Sequence, residues 1–112
     1  MKYLPLTASL VSLLIAGAAT ARAADAKDNW AKNCAACHGA DGTGHTKAGR
    51  MARVKNMTAA AYQQTFTDAQ AAHQIKAGLV DGTGKERMRA FGDKFTDDEV
   101  NALVAYVRSL QK

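Results

Sequence analysis

Cys34-Ala35-Ala36-Cys37-His38 puts two thiols and an imidazole within five consecutive residues. Each thiol can add across one vinyl group of a porphyrin. The histidine that follows is then held where its imidazole can bind iron. The pentapeptide therefore reads as an attachment site for c-type haem. Three other chemistries use similar residues. A thioredoxin-like redox pair wants a βαβ setting, and the sequence carries no strand pattern. A zinc site needs four ligands and gives no reason for histidine directly after cysteine. A disulfide across two residues would close too short a loop to stabilise much.

The elements that hold this stretch come from a chain of 112 residues with a formal charge of +5. Residues 1–23 read as a secretory signal. Lys2 supplies the positive start, Leu6 to Ala19 an apolar stretch too short for a comfortable membrane span, and Ala21-Arg22-Ala23 a small-x-small cleavage site. No second hydrophobic segment follows, so the mature chain is expected to be soluble, without membrane insertion. Cleavage leaves 89 residues, 24–112, as one domain, and loss of Lys2 and Arg22 lowers the charge to +3. So small a chain is short of apolar core, which a covalently held apolar cofactor would supply. The charge is too mild for a nucleic-acid binder. Both cysteines lie in the motif, so no disulfide framework remains.

Residues 25 to 38 read as a helix with Asp25 and Asp28 near its start and Trp30 and Cys34 on one face. Trp30 is expected to be a core aromatic. Residues 39 to 49 read as a glycine-rich loop that lacks a phosphate-binding pattern. His45, within it, is expected to be exposed. Arg50, Arg53 and Lys55 form a basic run, and Thr58 is a candidate cap for a short helix through Tyr62. Tyr62 and Phe66 are expected to line the cofactor pocket or the core. Thr67 and Gln70 make a capping box for a helix over 67–77, with Gly78 as its stop and His73 on its surface. Asp81-Gly82-Thr83-Gly84 repeats Asp41-Gly42-Thr43-Gly44, which at four residues is no evidence of an internal repeat. Residues 85–91 show neither helical nor strand periodicity. Thr96 and Glu99 box the last helix, and Val100, Leu103, Val104, Val107 and Leu110 form its buried stripe. Met51, Met57 and Met88 each offer a thioether, although methionine more often fills a core. Met88 alone lies between glycine-bearing stretches suited to reaching over a flat ring.

Residues 25 to 111 resemble a class I monohaem cytochrome c of the small bacterial periplasmic type, close to the cytochrome c6 and c-553 group. The carriers are Cys34 to Gly44, Met88 to Phe95, and Thr96 to Leu110 with its Ala105-Tyr106-Val107 centre. The resemblance implies an all-α cytochrome c fold: three to four short helices round one haem c, the first and last helices crossing through Ala26, Trp30 and Tyr106. It implies thioethers at Cys34 and Cys37, proximal iron ligation by His38 and distal ligation by Met88. The mature chain lacks the proline whose carbonyl usually accepts the proximal histidine N–H, so a carbonyl in 46–50 is expected to take that role.

The function expected is a monomeric, periplasmic single-electron carrier rather than an enzyme. Its partners would be redox proteins with acidic docking patches, met by a positive rim of Lys47, Arg50, Arg53, Lys85, Arg87 and Arg89. Nucleic acid is not an expected partner. Two other functions stay open. A haem enzyme or ligand sensor would need a labile sixth position, with His45 or His73 as the available acid–base groups. A haem relay subunit would belong to a larger oxidoreductase.

Overall fold

The computed structural model describes residues 22–112, and all but the last two positions of the expected signal lie outside the described residues. Residues 22–33 form helix α1. One residue, Cys34, steps out of it at φ −117°, ψ −36° before the single turn α2, Ala35–His38. The expected helix over 25–38 is thus two helices joined at the first cysteine. Its predicted end holds, with Gly39 as the cap.

The loop expected over 39–49 is shorter than the sequence suggested. Thr46 caps helix α3, Lys47–Ala52, by accepting from the Gly49 N–H, and its hydroxyl donates to the Cys37 carbonyl at 2.9 Å. Thr46 had no acidic partner three residues on, so no capping box announced it. Gly49 is required by close approach: a Cβ there would lie 2.2 Å from the Cys37 carbonyl oxygen. Helix α4, Ala60–Gln63, is capped at Ala59 rather than Thr58, whose hydroxyl donates instead to Asn56 Oδ1 at 2.7 Å.

Helix α5, Asp68–Ala77, and helix α6, Asp97–Ser109, both carry the capping boxes that the sequence announces, at Thr67/Gln70 and Thr96/Glu99. Between them lies an antiparallel pair that sequence reading missed, β1 Leu79–Val80 and β2 Glu86–Met88, with a bulge between Leu79 and Val80. Strands of two and three residues are too short to show a period. Gly78 makes the pairing possible, because a Cβ there would meet the Met88 carbonyl oxygen at 2.5 Å.

The core is small. Trp30, Phe91, Phe95, Val100, Leu103 and Val107 form one cluster, with Val100 and Leu103 buried completely. Full burial of such a side chain contributes about 2 kcal/mol. Helix α1 crosses α6 through Trp30 and Tyr106, whose rings lie 5.4 Å apart, and through Asn29, which donates to Glu99 at 3.5 Å. Ala26 is buried beside them. Arg108 fastens α6 to the segment after α4. Its guanidinium donates to Asp68 Oδ1, Gln63 Oε1 and the carbonyls of Gln63 and Phe66, and lies over the Phe66 ring. Gln63, itself buried, donates to the carbonyls of Met57 and Val107. The fold is thus all-α in its core, with one short hairpin at its edge.

Candidate functional site

Two adjoining cavities, of about 780 and 580 Å³, open between α2, α5 and the hairpin. Cys34, His38 and Met88 stand in the walls of both, and Cys37 in the wall of the smaller. The four residues singled out by sequence therefore surround one cleft. Trp30, Tyr62, Phe66, Ile75 and Leu103 make most of the larger cavity apolar. Cavities of this size hold ligands of several hundred daltons.

Cys34 and Cys37 are both free, half-buried thiols. Burial pushes the Cys34 thiol up to about 11, against the opposing pull of the Arg89 charge. Such a thiol stays protonated near neutral pH and is not a reactive thiolate of the redox-pair type. Burial also lowers the His38 imidazole below its ordinary value, which keeps it neutral, the form that binds a metal. The Trp30 ring lies 5.5 Å from that of His38, and Trp30 Nε1 donates to the Gly39 carbonyl at 3.0 Å. Trp30 is therefore both a core residue and a brace for the turn that carries His38.

His38 Nδ1 is buried without a hydrogen-bond partner among the described residues. The carbonyl expected from 46–50 is not there, and the reason is local. Helix α3 begins at Lys47, so the Thr46 carbonyl accepts from Arg50 and that of Gly49 from Val54 and Arg53. Most of the other clues fit a flat, apolar, iron-bearing group. An unpaired neutral imidazole, two thiols and a thioether line one apolar cleft. No cluster of three or more His, Cys, Asp or Glu that could hold a metal ion alone occurs among the described residues.

The remaining methionines and histidines separate. Met51 is 66 % exposed on α3. Met57 lines both cavities, but its N–H donates to the Gly42 carbonyl, so it belongs to the loop continuous with the His38 turn. Met88 hangs from the hairpin instead. His45 is exposed and lines neither cavity. His73 is exposed as expected and also lines the larger cavity. Gln74, which sequence reading passed over, donates through Nε2 to Met88 Sδ at 3.9 Å. Only its place four residues before Gly78 hinted that it could reach the hairpin.

The expected positive rim is partly present. Arg53, Arg87 and Arg89 line the smaller cavity, joined by Lys55. Arg89 lies over the Phe91 ring at 5.0 Å. Arg87 is not a free rim charge, because its guanidinium pairs with Asp81 at 2.8 Å and its side chain is only 18 % exposed. Lys47, Arg50 and Lys85 are exposed without lining the cleft.

Helices wrapped round an apolar cleft with this pentapeptide at its edge define a haem-bearing class of protein. The chain belongs to the cytochrome c family, whose family model matches residues 23–111. It is similar to the solved KustC0563 c-type cytochrome, at 31% sequence identity and a TM-score of 0.70, over 78% of this chain and 98% of that one. A tyrosine-to-phenylalanine mutant of Kustc0563 is similar at 31% identity and a TM-score of 0.68, over 78% and 99% of the two chains. No curated protein matches the chain. The protein is thus a class I monohaem cytochrome c that carries covalent haem c and transfers electrons. No helix among the described residues is long and apolar enough to cross a membrane.

Proposed function

We propose that the protein is a single-electron carrier with both axial positions of its iron closed by the chain. Cys34 and Cys37 form the thioethers, His38 is the proximal ligand and Met88 the distal one. The observation that carries this reading is the shared lining of the two cavities. His38 comes to them from α2, and Met88 from a hairpin that follows α5. Ligands to opposite faces of a flat group must come from separate segments, which favours Met88 over Met57.

Haem c supplies a one-electron couple whose potential a thioether ligand raises relative to a second imidazole. The chain does the rest. Trp30, Tyr62, Phe66, Ile75 and Leu103 exclude water from the cleft. His38 stays neutral and available, and Met88 fills the position that an external substrate would need. One electron enters and one leaves, with no bond made or broken in a partner molecule, so the protein is a carrier and not an enzyme.

Arg53, Lys55 and Arg89 at the smaller cavity make the approach to the cleft positive, which suits a redox partner with an acidic face. Residues 1–23 act as an export signal removed before Ala24, and the mature monomer works in the periplasm, where haem is joined to the thiols. Mass spectrometry of the periplasmic fraction should find a chain starting near Ala24 and heavier by one haem.

The deciding test is the far-red charge-transfer band of a sulfur–iron bond in the ferric protein. The band is expected in the parent, lost in Met88→Ala and retained in Met57→Ala. A parent without the band would leave the sixth position to His73, His45 or water, and make a haem enzyme or ligand sensor the better reading.

A further inference from the structure

We propose that the Asp81–Arg87 ion pair is a positioning device that locks the Met88 strand across the cleft by bridging it to helix α3. The inference rests on the reading of Met88 as the distal ligand. Three segments meet at one guanidinium. Arg87 Nε donates to Asp81 Oδ2 at 2.8 Å, which ties β2 to the turn after β1. Arg87 Nη1 donates to the Met51 carbonyl at 3.1 Å, near the end of α3. Arg87 itself directly precedes Met88.

The carboxylate is fully engaged. Asp81 Oδ1 accepts from the N–H groups of Thr83 at 2.8 Å and Lys85 at 3.1 Å, and from the Thr83 hydroxyl. The Asp81-Gly82-Thr83-Gly84 turn is thereby shaped so that Oδ2 faces Arg87. The pair is also the best covered of those described, with side chains 18% and 25% exposed. Every other described pair has at least one partner more than 60% exposed. Covered charge-assisted bonds of this geometry hold their partners better than surface pairs do.

The bridge matters because of what it closes. Helix α3 is already joined to the proximal turn, since Thr46 donates to the Cys37 carbonyl and the Gly44 N–H to the His38 carbonyl at 2.7 Å. Arg87 completes a path from the His38 turn, through α3, to the residue before Met88. Beyond Met88 the strand is held by Phe91 and Gly92, whose N–H groups donate to the Ile75 and Lys76 carbonyls. The ladder between β1 and β2 is too short to fix Met88 unaided. Loss of the bridge therefore frees the strand on its α3 side and lets an external ligand compete with the thioether.

The test is imidazole binding to the matured ferric protein, followed by loss of the far-red sulfur–iron band. Arg87→Gln and Asp81→Asn should each tighten imidazole binding about tenfold, and the double variant little further, because both remove one device. Asp28→Ala, which breaks the exposed pair with Lys32 on α1 and lines neither cavity, should leave imidazole affinity unchanged. If Arg87→Gln does not mature, Arg87→Lys keeps a charge beside Asp81 but lacks the fork that reaches Met51, and should tighten binding by a smaller factor. A band in the parent with imidazole affinity unchanged in these variants overturns the bridge alone. Absence of the band from the parent overturns the bridge together with Met88 ligation.

Discussion

Gln74 Nε2 lies 3.9 Å from Met88 Sδ and donates a hydrogen bond to it. The contact joins the exposed side of α5 to the residue proposed as the distal ligand. An N–H aimed at a sulfur lowers the electron density that sulfur can give to Fe(III), and so favours the reduced state. Gln74→Leu should lower the potential while keeping the sulfur–iron band. A hydrogen bond of about 1 kcal/mol corresponds to roughly 40 mV for one electron, an upper bound at an exposed position. A spectroelectrochemical titration beside the parent checks this, and an unchanged potential would show the contact to be idle.

Arg89 and Arg53 remain available for docking where Arg87 does not. Arg53→Glu with Arg89→Glu should slow reduction by an acidic redox partner roughly threefold to tenfold at low ionic strength. The difference should vanish as salt is added, since exposed charges are screened beyond the Debye length. Stopped-flow rates across a salt series read both effects. A charge reversal without consequence at low salt would mean that the positive approach does not steer.

Trp30→Phe should keep the packing against Tyr106 and lose the bond to the Gly39 carbonyl. That bond is buried, but Gly39 O also accepts from the Gly42 N–H at 3.2 Å. The expected cost is therefore about 1 kcal/mol rather than the full penalty of an orphaned acceptor. Urea unfolding of the holoprotein measures it.

Asp81 carries a sign for acid stability. Hydrogen bonds from Thr83, and then the Arg87 side chain and the Lys85 N–H, hold its carboxyl well below the usual carboxylate range. A carboxyl depressed in the folded state adds stability above its unfolded value, near 3.9, and loses it as pH falls toward the folded one. The urea midpoints of parent and Asp81→Asn should differ most near neutral pH and converge below about pH 4. A gap that stays constant down to about pH 2 would mean the carboxylate contributes nothing through its charge.

The residues proposed to carry the site stand out in the sequence because their signal is local. Five adjacent residues announce the haem attachment, and the boxes at Thr67/Gln70 and Thr96/Glu99 start two helices where the structure has them. The Val100–Leu103–Val104–Val107 stripe is likewise a property of one segment. What stayed hidden depends on distant partners. Helix α3 hangs on Thr46 meeting the Cys37 carbonyl, and the hairpin on Asp81 meeting Arg87 and Gly78 meeting Met88. Gln74 and Met88 are fourteen residues apart and share no pattern. The four-residue repeat, by contrast, is a local device used twice. Asp41 and Asp81 each accept from the N–H and hydroxyl of the threonine two residues on.

A cleft takes the place where a larger core would lie. Val100 and Leu103 are buried completely, yet Leu103 itself and the aromatic cluster around it border open cavity. A chain that never receives its haem would present that lining to any protease it meets. Proteases cut chains from the open state, and a core this small leaves that state well populated. The amount of this protein in its compartment should therefore follow the supply of attached haem rather than the amount of polypeptide made.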